Sequence, residues 1–140
     1  MTQKNYFKPR TIVPSLTILI SSLLSGHTVS IDQGAGIAGT WHIEPNHNPR
    51  ANQPAVVWVA VTRRGGQPIP MHQLQCQLFV FRLPCRDQPV QTLSLRAIDA
   101  ENFRQIPSAQ VTVPQQGRYQ LALDCVKPQP FRLTYETIVR

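Results

Sequence analysis

Two-residue alternation of apolar and polar side chains recurs in five separate segments of this chain, and it constrains the fold more than any other feature. Leu74, Cys76, Leu78 and Val80 alternate with Gln75 and Gln77, and Leu93, Leu95 and Ala97 with Thr92, Ser94 and Arg96. Ala109, Val111 and Val113 are spaced by Gln110 and Thr112, while Tyr119, Leu121, Leu123 and Cys125 oppose Arg118, Gln120 and Asp124. Phe131, Leu133, Tyr135, Thr137 and Val139 oppose Arg132, Thr134, Glu136 and Arg140. Successive strand side chains point to opposite faces, so each segment offers one face to a core and one to water. Ala55 to Thr62 differs: its unbroken Val-rich run suits a strand covered on both faces.

The connections are equally readable. Trp41 to Glu44 predicts a short strand stopped by Pro45, and Asn46 to Pro54 a loop rich in turn residues. Arg63-Arg64-Gly65-Gly66 breaks the Val-rich run, and Gln67 to His72 continues the connection with two prolines. The Gly-rich stretch His27 to Thr40 reads as an arm or a weak first strand. Only Asp99 to Gln105 looks helical, with Asp99 as N-cap and Pro107 closing the turn. The expectation is an all-β, immunoglobulin-like antiparallel β-sandwich of six or seven strands with one short helical turn.

The first thirty residues read as an export signal rather than as part of that domain. Lys4, Lys8 and Arg10 precede an apolar run of about 13 residues, Ile12 to Leu24, which ends in small residues near Ser25 and Gly26. A membrane-spanning helix needs roughly 20, so membrane attachment would come only through an uncleaved signal. Cleavage near 26–30 leaves one domain, 31–140, in the periplasm, the thylakoid lumen or outside the cell. Without the three signal charges, eleven basic residues face seven acidic ones, a net charge of +4, and ten of the eleven are scattered arginines. Nucleic-acid binding asks for a basic stripe interleaved with exposed aromatics, and none is present.

Three cysteines in an exported chain leave an odd thiol. Cys76 and Cys125 share the inward parity of their strands. In an immunoglobulin-like order the third and sixth strands are antiparallel neighbours, which puts both cysteines at one end of the sandwich. Facing Cβ atoms lie about 4.5–5.5 Å apart there. The choice is between a Cys76–Cys125 bridge, which this parity favours, and no disulfide at all. Cys85, roughly 30 Å of strand from Cys76, is then a free thiol beside Arg86, either plain or able to link two chains.

The phrases Gly39-Thr-Trp-His-Ile-Glu-Pro-Asn and Pro54-Ala-Val-Val-Trp-Val-Ala-Val-Thr-Arg-Arg-Gly-Gly resemble a group of small uncharacterised exported cyanobacterial proteins. Gly65-Gly-Gln-Pro-Ile-Pro and Val113-Pro-Gln-Gln-Gly-Arg-Tyr-Gln-Leu look like strand-turn phrases of bacterial periplasmic immunoglobulin-like domains, among them the YtkA-like and copper-resistance C-type domains. The first resemblance implies no known activity. The second implies a sandwich and, through the copper-resistance domains, copper held by an N-terminal histidine.

No catalytic constellation stands out: the chain has no nucleophile elbow, HExxH, phosphate-cradling Gly loop or CxxC. Asp99 and Glu101 read as caps of the helical turn. No cofactor is required, although copper fits the histidines. Four lie at His27, His42, His47 and His72. His42 and Glu44 share a strand face, His47 follows a Pro-Asn turn, and Met71 beside His72 pairs a thioether with an imidazole, which suits copper. Cleavage after Gly26 would make His27 the mature N-terminus, its amine and imidazole chelating one Cu(II); cleavage after Ser30 would remove it. The other candidate surface is aromatic: Phe79 and Phe81 on the outward side of their strand, with Trp58, could anchor an unidentified protein partner, unless the Gly-rich arm or the 99–105 turn folds over them. The sequence thus describes an exported, non-enzymatic binding or accessory module, with a copper-binding protein and a Cys85-linked assembly protein as alternatives.

Overall fold

The structure, a computed structural model, describes residues 27–140; of the signal expected over residues 1–30, residues 1–26 lie outside the described residues, while Thr28 to Ser30 belong to the first strand. Nine strands form among them: β1 (Thr28–Asp32), β2 (Ile37–Glu44), β3 (Ala55–Arg63), β4 (Gln75–Arg82), β5 (Gln91–Leu93), β6 (Arg96–Ala100), β7 (Phe103–Val111), β8 (Gly117–Lys127) and β9 (Phe131–Val139). They build two antiparallel sheets, β1-β2-β3-β7-β6 and β5-β4-β8-β9. The sandwich expected from the alternation is the observed architecture, with more strands than the six or seven read from the sequence.

The additional strands have clear causes. The Gly-rich stretch is a hairpin, with β1 paired to β2 from Thr28↔Trp41 to Asp32↔Ile37. The alternating run at 92–97 is divided between the sheets: Leu93 pairs with Leu78 of β4, and Ala97 pairs with Pro107 of β7. The helical turn expected at Asp99 to Gln105 is instead the tip of the β6–β7 hairpin. Asp99 does cap backbone, as expected of its side chain, but its Oδ1 accepts the Gln105 N–H at 2.8 Å within that hairpin. Pro107 does not close a turn; it lies inside β7, where the β3–β7 ladder stops at Trp58↔Ser108. A proline cannot donate to the next ladder position, and beyond it β6 and β7 leave the plane of β3. The one helical turn among the described residues is a 3-10 turn at Met71–Gln73.

Between the sheets sits the main core, led by Trp41, Ile43, Val57, Val59, Val61, Leu78, Leu121, Leu123 and Leu133. These are the inward-parity positions of their strands. The close approach of the sheets depends on Gly39: a Cβ there would stand 2.6 Å from Leu133 Cδ1 and 2.9 Å from Val59 Cγ2. A second, smaller apolar cluster lies on the opposite face of β3. There Trp58, Ala60 and Ile106 are buried, with Ile98, Ala100 and Phe103 half-buried against them. The β6–β7 hairpin is therefore a cover over the outer face of the five-stranded sheet.

Cys76 and Cys125 are direct ladder partners on β4 and β8 and form the disulfide. Cys85 is free and exposed.

Candidate metal centre

The outer face of the five-stranded sheet collects three of the four histidines. His42 points outward from β2, because Trp41 and Ile43 on either side take the core, and its ladder partner is Trp58. His27 immediately precedes Thr28, whose partner is Trp41, so it lies one step along the ladder and level with His42. His47 arrives by a tight reversal after β2. Asn46 and His47 take left-handed backbone angles, φ 50° and 53°, and the His47 N–H donates to the Ile43 carbonyl at 2.7 Å. Asn and His tolerate that conformation better than most side chains, which explains why this sequence can fold the loop back over its own strand.

The imidazoles converge closely. One ligand atom from each of His27, His42 and His47 lies within 4.8 Å of the others. Ring centroids stand 5.1 Å apart for His27 and His42, 4.4 Å for His42 and His47, and 5.8 Å for His27 and His47. Trp58 is the floor, with His42 stacked on it at 5.0 Å and His27 tilted against it at 5.4 Å. Phe103 of the hairpin is tilted against Trp58 at 5.6 Å.

Three ring nitrogens, His27 Nε2, His42 Nδ1 and His47 Nε2, are buried without a hydrogen-bond partner. Buried polar atoms are normally satisfied, and an orphan calls for a cause such as an ion. His27 Nε2 does lie 3.0 Å from Glu101 Oε2, an ion-pair distance without hydrogen-bond alignment. On His47 the other nitrogen is engaged: Nδ1 lies 3.4 Å from the Tyr135 hydroxyl. With Nδ1 protonated and donating to that oxygen, Nε2 keeps its lone pair, the arrangement by which a second group orients a ligating histidine. Burial, followed by the neighbouring His42 and His27, pushes the His47 pKa down against a weaker opposing pull from Glu101. A histidine whose protonated form is disfavoured is a readier metal ligand, since only the neutral ring coordinates.

The other residues singled out in the sequence fall elsewhere. His72 and Met71 sit on the 3-10 turn between β3 and β4; His72 is exposed and does not join the convergent group, and neither does Glu44. Trp58 is no outward anchor, being 1% exposed beneath the histidines and the β6–β7 hairpin. Phe81 is also buried, with the Arg132 guanidinium 5.6 Å over its ring. Phe79, half-buried and 6.3 Å from Phe81, is what remains of the aromatic patch. Sequence reasoning treated Glu101 only as a helix cap, because its place beside His27 depends on a hairpin that the helical reading concealed.

This is an all-β sandwich carrying a three-histidine cluster on the outer face of one sheet. No protein-family model matches the sequence, and no curated protein matches it. Its backbone is similar to that of a DUF4426 family protein from Pseudomonas aeruginosa PAO1, with a TM-score of 0.55 and 12% identity over 81% of this chain and 94% of that one. It is also similar to "as isolated" FetP of uropathogenic E. coli strain F11, a protein recombinantly expressed in the periplasm of E. coli BL21(DE3). There the TM-score is 0.50 with 13% identity, over 78% of this chain and 91% of that one. At such identities the likeness concerns the fold.

Proposed function

We propose that this chain is an exported, non-enzymatic copper-binding module in which His27, His42 and His47 hold one ion. The observation that carries the reading is the convergence of three imidazoles, one ligand atom of each within 4.8 Å of the others, with one ring nitrogen of each buried and free of hydrogen bonds. Imidazole suits copper and zinc, and among divalent first-row ions copper binds such donors most tightly. Residues would supply the rest of the site as follows: Trp58 fixes the ring planes from below, and Tyr135 orients His47.

Export agrees with the basic, then apolar, then small-residue start of the sequence and with a disulfide, which persists in oxidising compartments. The resemblance to copper-resistance C-type domains supports the same reading, as does the absence of any nucleophile-and-base pattern in the sequence. The ion would be held for, or passed to, a protein partner not identified by these residues.

Titration of the purified chain with Cu(II), followed by calorimetry, tests the proposal. One equivalent should bind tightly, and His42→Ala or His47→Ala should abolish tight binding while the exposed Arg50→Ala leaves it intact. Wild-type protein that binds no copper, or histidine variants that bind as well as wild type, would contradict it. A thiol-linked assembly is favoured by one observation, the free and exposed Cys85. It requires a dimer that reductant dissolves and that Cys85→Ser never forms.

A further inference from the structure

Glu101 has no role in a site of three imidazoles, yet the fold goes to some length to bring it there. It occupies the tip of the β6–β7 hairpin with φ 53°, a left-handed angle uncommon for this side chain. The hairpin is pinned by its own apolar contacts, Phe103 on Trp58 and Ile106 beside Ala60, and by the Asp99 carboxylate accepting the Gln105 N–H. These contacts hold the tip over the outer face and leave the Glu101 carboxylate 3.0 Å from His27 Nε2, one of the three buried ring nitrogens that make no hydrogen bond. The Glu101 side chain is 50% exposed. An ion pair that open to water contributes little to stability, so folding alone is a weak reason for the arrangement.

We propose that Glu101 is the fourth ligand of the centre, and that its anionic oxygen makes this a site for Cu(II) rather than Cu(I). The inference rests on the three-histidine reading of the site. The carboxylate lies outside the 4.8 Å group formed by the imidazoles. Half exposed, it is free to rotate from the edge of His27 onto an ion bound by that ring. A carboxylate is a hard, charged donor that stabilises the more highly charged ion, whereas Cu(I) is selected by thiolate and thioether sulfur. No cysteine joins the group among the described residues: Cys76 and Cys125 are bonded to each other, and Cys85 is exposed elsewhere.

Glu101→Gln tests the proposal, since the amide keeps the size of the side chain and removes its charge. Affinities for Cu(II) and Cu(I) are measured on wild type and variant by competition with chromophoric chelators, with ascorbate as the reductant for Cu(I). Loss of an outer-shell partner commonly costs 10–100-fold in metal affinity; loss of a direct ligand should weaken Cu(II) binding by at least about tenfold on that scale. Cu(I) affinity should change by much less, and the Cu(II) paramagnetic resonance spectrum should move toward a more nitrogen-rich ligand set. Unchanged Cu(II) affinity and spectrum in the variant overturn the proposal. Equal losses for both ions overturn it too, because they mean that Glu101 only positions His27. Unaltered thermal unfolding of the metal-free variant establishes that its fold is intact. Wild-type protein that binds neither ion refutes the three-histidine reading itself, an outcome distinct from a wild type that binds and a variant that binds equally.

Discussion

His42 stacks on Trp58 across the β2–β3 ladder, their ring centroids 5.0 Å apart and their planes 25° from parallel. The pair joins two things the fold has to achieve on one face. Trp58 is buried because the β6–β7 hairpin covers it, and the same buried indole gives His42 a rigid floor from which to face His27 and His47. The candidate centre therefore rests on a small apolar cluster distinct from the core between the sheets.

This contact makes Trp58 a reporter. Cu(II) bound on His42 should quench the emission of Trp58 and saturate at one equivalent. Trp41, stacked on Tyr135 within the main core, should respond far less. In Trp58→Phe most of the copper-dependent change in fluorescence should disappear, and in His42→Ala the saturable quench should be lost. Quenching that persists unchanged in both variants would place the ion elsewhere.

Gly39 should tolerate no side chain. A methyl group would sit 2.6 Å from Leu133 Cδ1 and 2.9 Å from Val59 Cγ2, on the facing sheet and the neighbouring strand. Overpacking of this kind costs about 1–3 kcal/mol, and Gly39→Ala should lower the urea midpoint accordingly. Because the clash is shared with Leu133, the same substitution should cost less in a Leu133→Ala background. Equal costs in the two backgrounds would show that Leu133 is not what crowds the position.

Reduction of the Cys76–Cys125 bridge should destabilise the chain strongly. The bond closes a loop with a sequence separation of 49, and the chain-entropy relation gives about 4 kcal/mol for that length. Cys76→Ala/Cys125→Ala, compared with the oxidised wild type by denaturant unfolding, checks the figure. Cys85→Ser should leave stability nearly unchanged, since its thiol is exposed.

Asp32 gives the fold a dependence on acid. Its carboxylate accepts the Arg132 N–H at 3.0 Å and the Ala35 N–H at 3.1 Å, tying the end of β1 to β9, and these bonds hold its pKa below 3.8. A carboxylate with a depressed folded pKa contributes stability that is fully present above its unfolded value. That contribution is lost as pH falls through the folded value. Asp32→Asn should therefore unfold more readily than wild type at pH 7, and the gap should narrow once the pH drops below 3.8. A gap of the same size at neutral and acid pH would mean that charge plays no part.

Strand content was legible from the sequence wherever one face is buried and the other is wet, as in Tyr119 to Cys125 and Phe131 to Val139. The pairing of the disulfide was legible, because parity puts Cys76 and Cys125 on one face and the immunoglobulin-like order makes their strands neighbours, but parity left open whether the bond forms at all. Alternation does not say which sheet a strand joins, so the crossing between Leu93 and Arg96 was hidden. The hairpin tip was hidden for a related reason. Asp99 and Pro107 are helix-boundary residues by propensity, but here Asp99 caps a hairpin and Pro107 ends a ladder, within a hairpin whose apolar side chains pack on Trp58. His27, His42 and His47 could be named as ligand types from the sequence. That they meet, and that Met71 and His72 stay apart, depends on the β1–β2 register and the left-handed turn at Asn46 and His47, neither of which composition encodes.

The most direct test is a crystal of the purified chain grown with copper and measured at the copper absorption edge. The expected result is one anomalous peak about 2 Å from nitrogen atoms of His27, His42 and His47, above the Trp58 ring. No peak at that position, or a peak at His72 or Cys85 instead, would contradict the central claim.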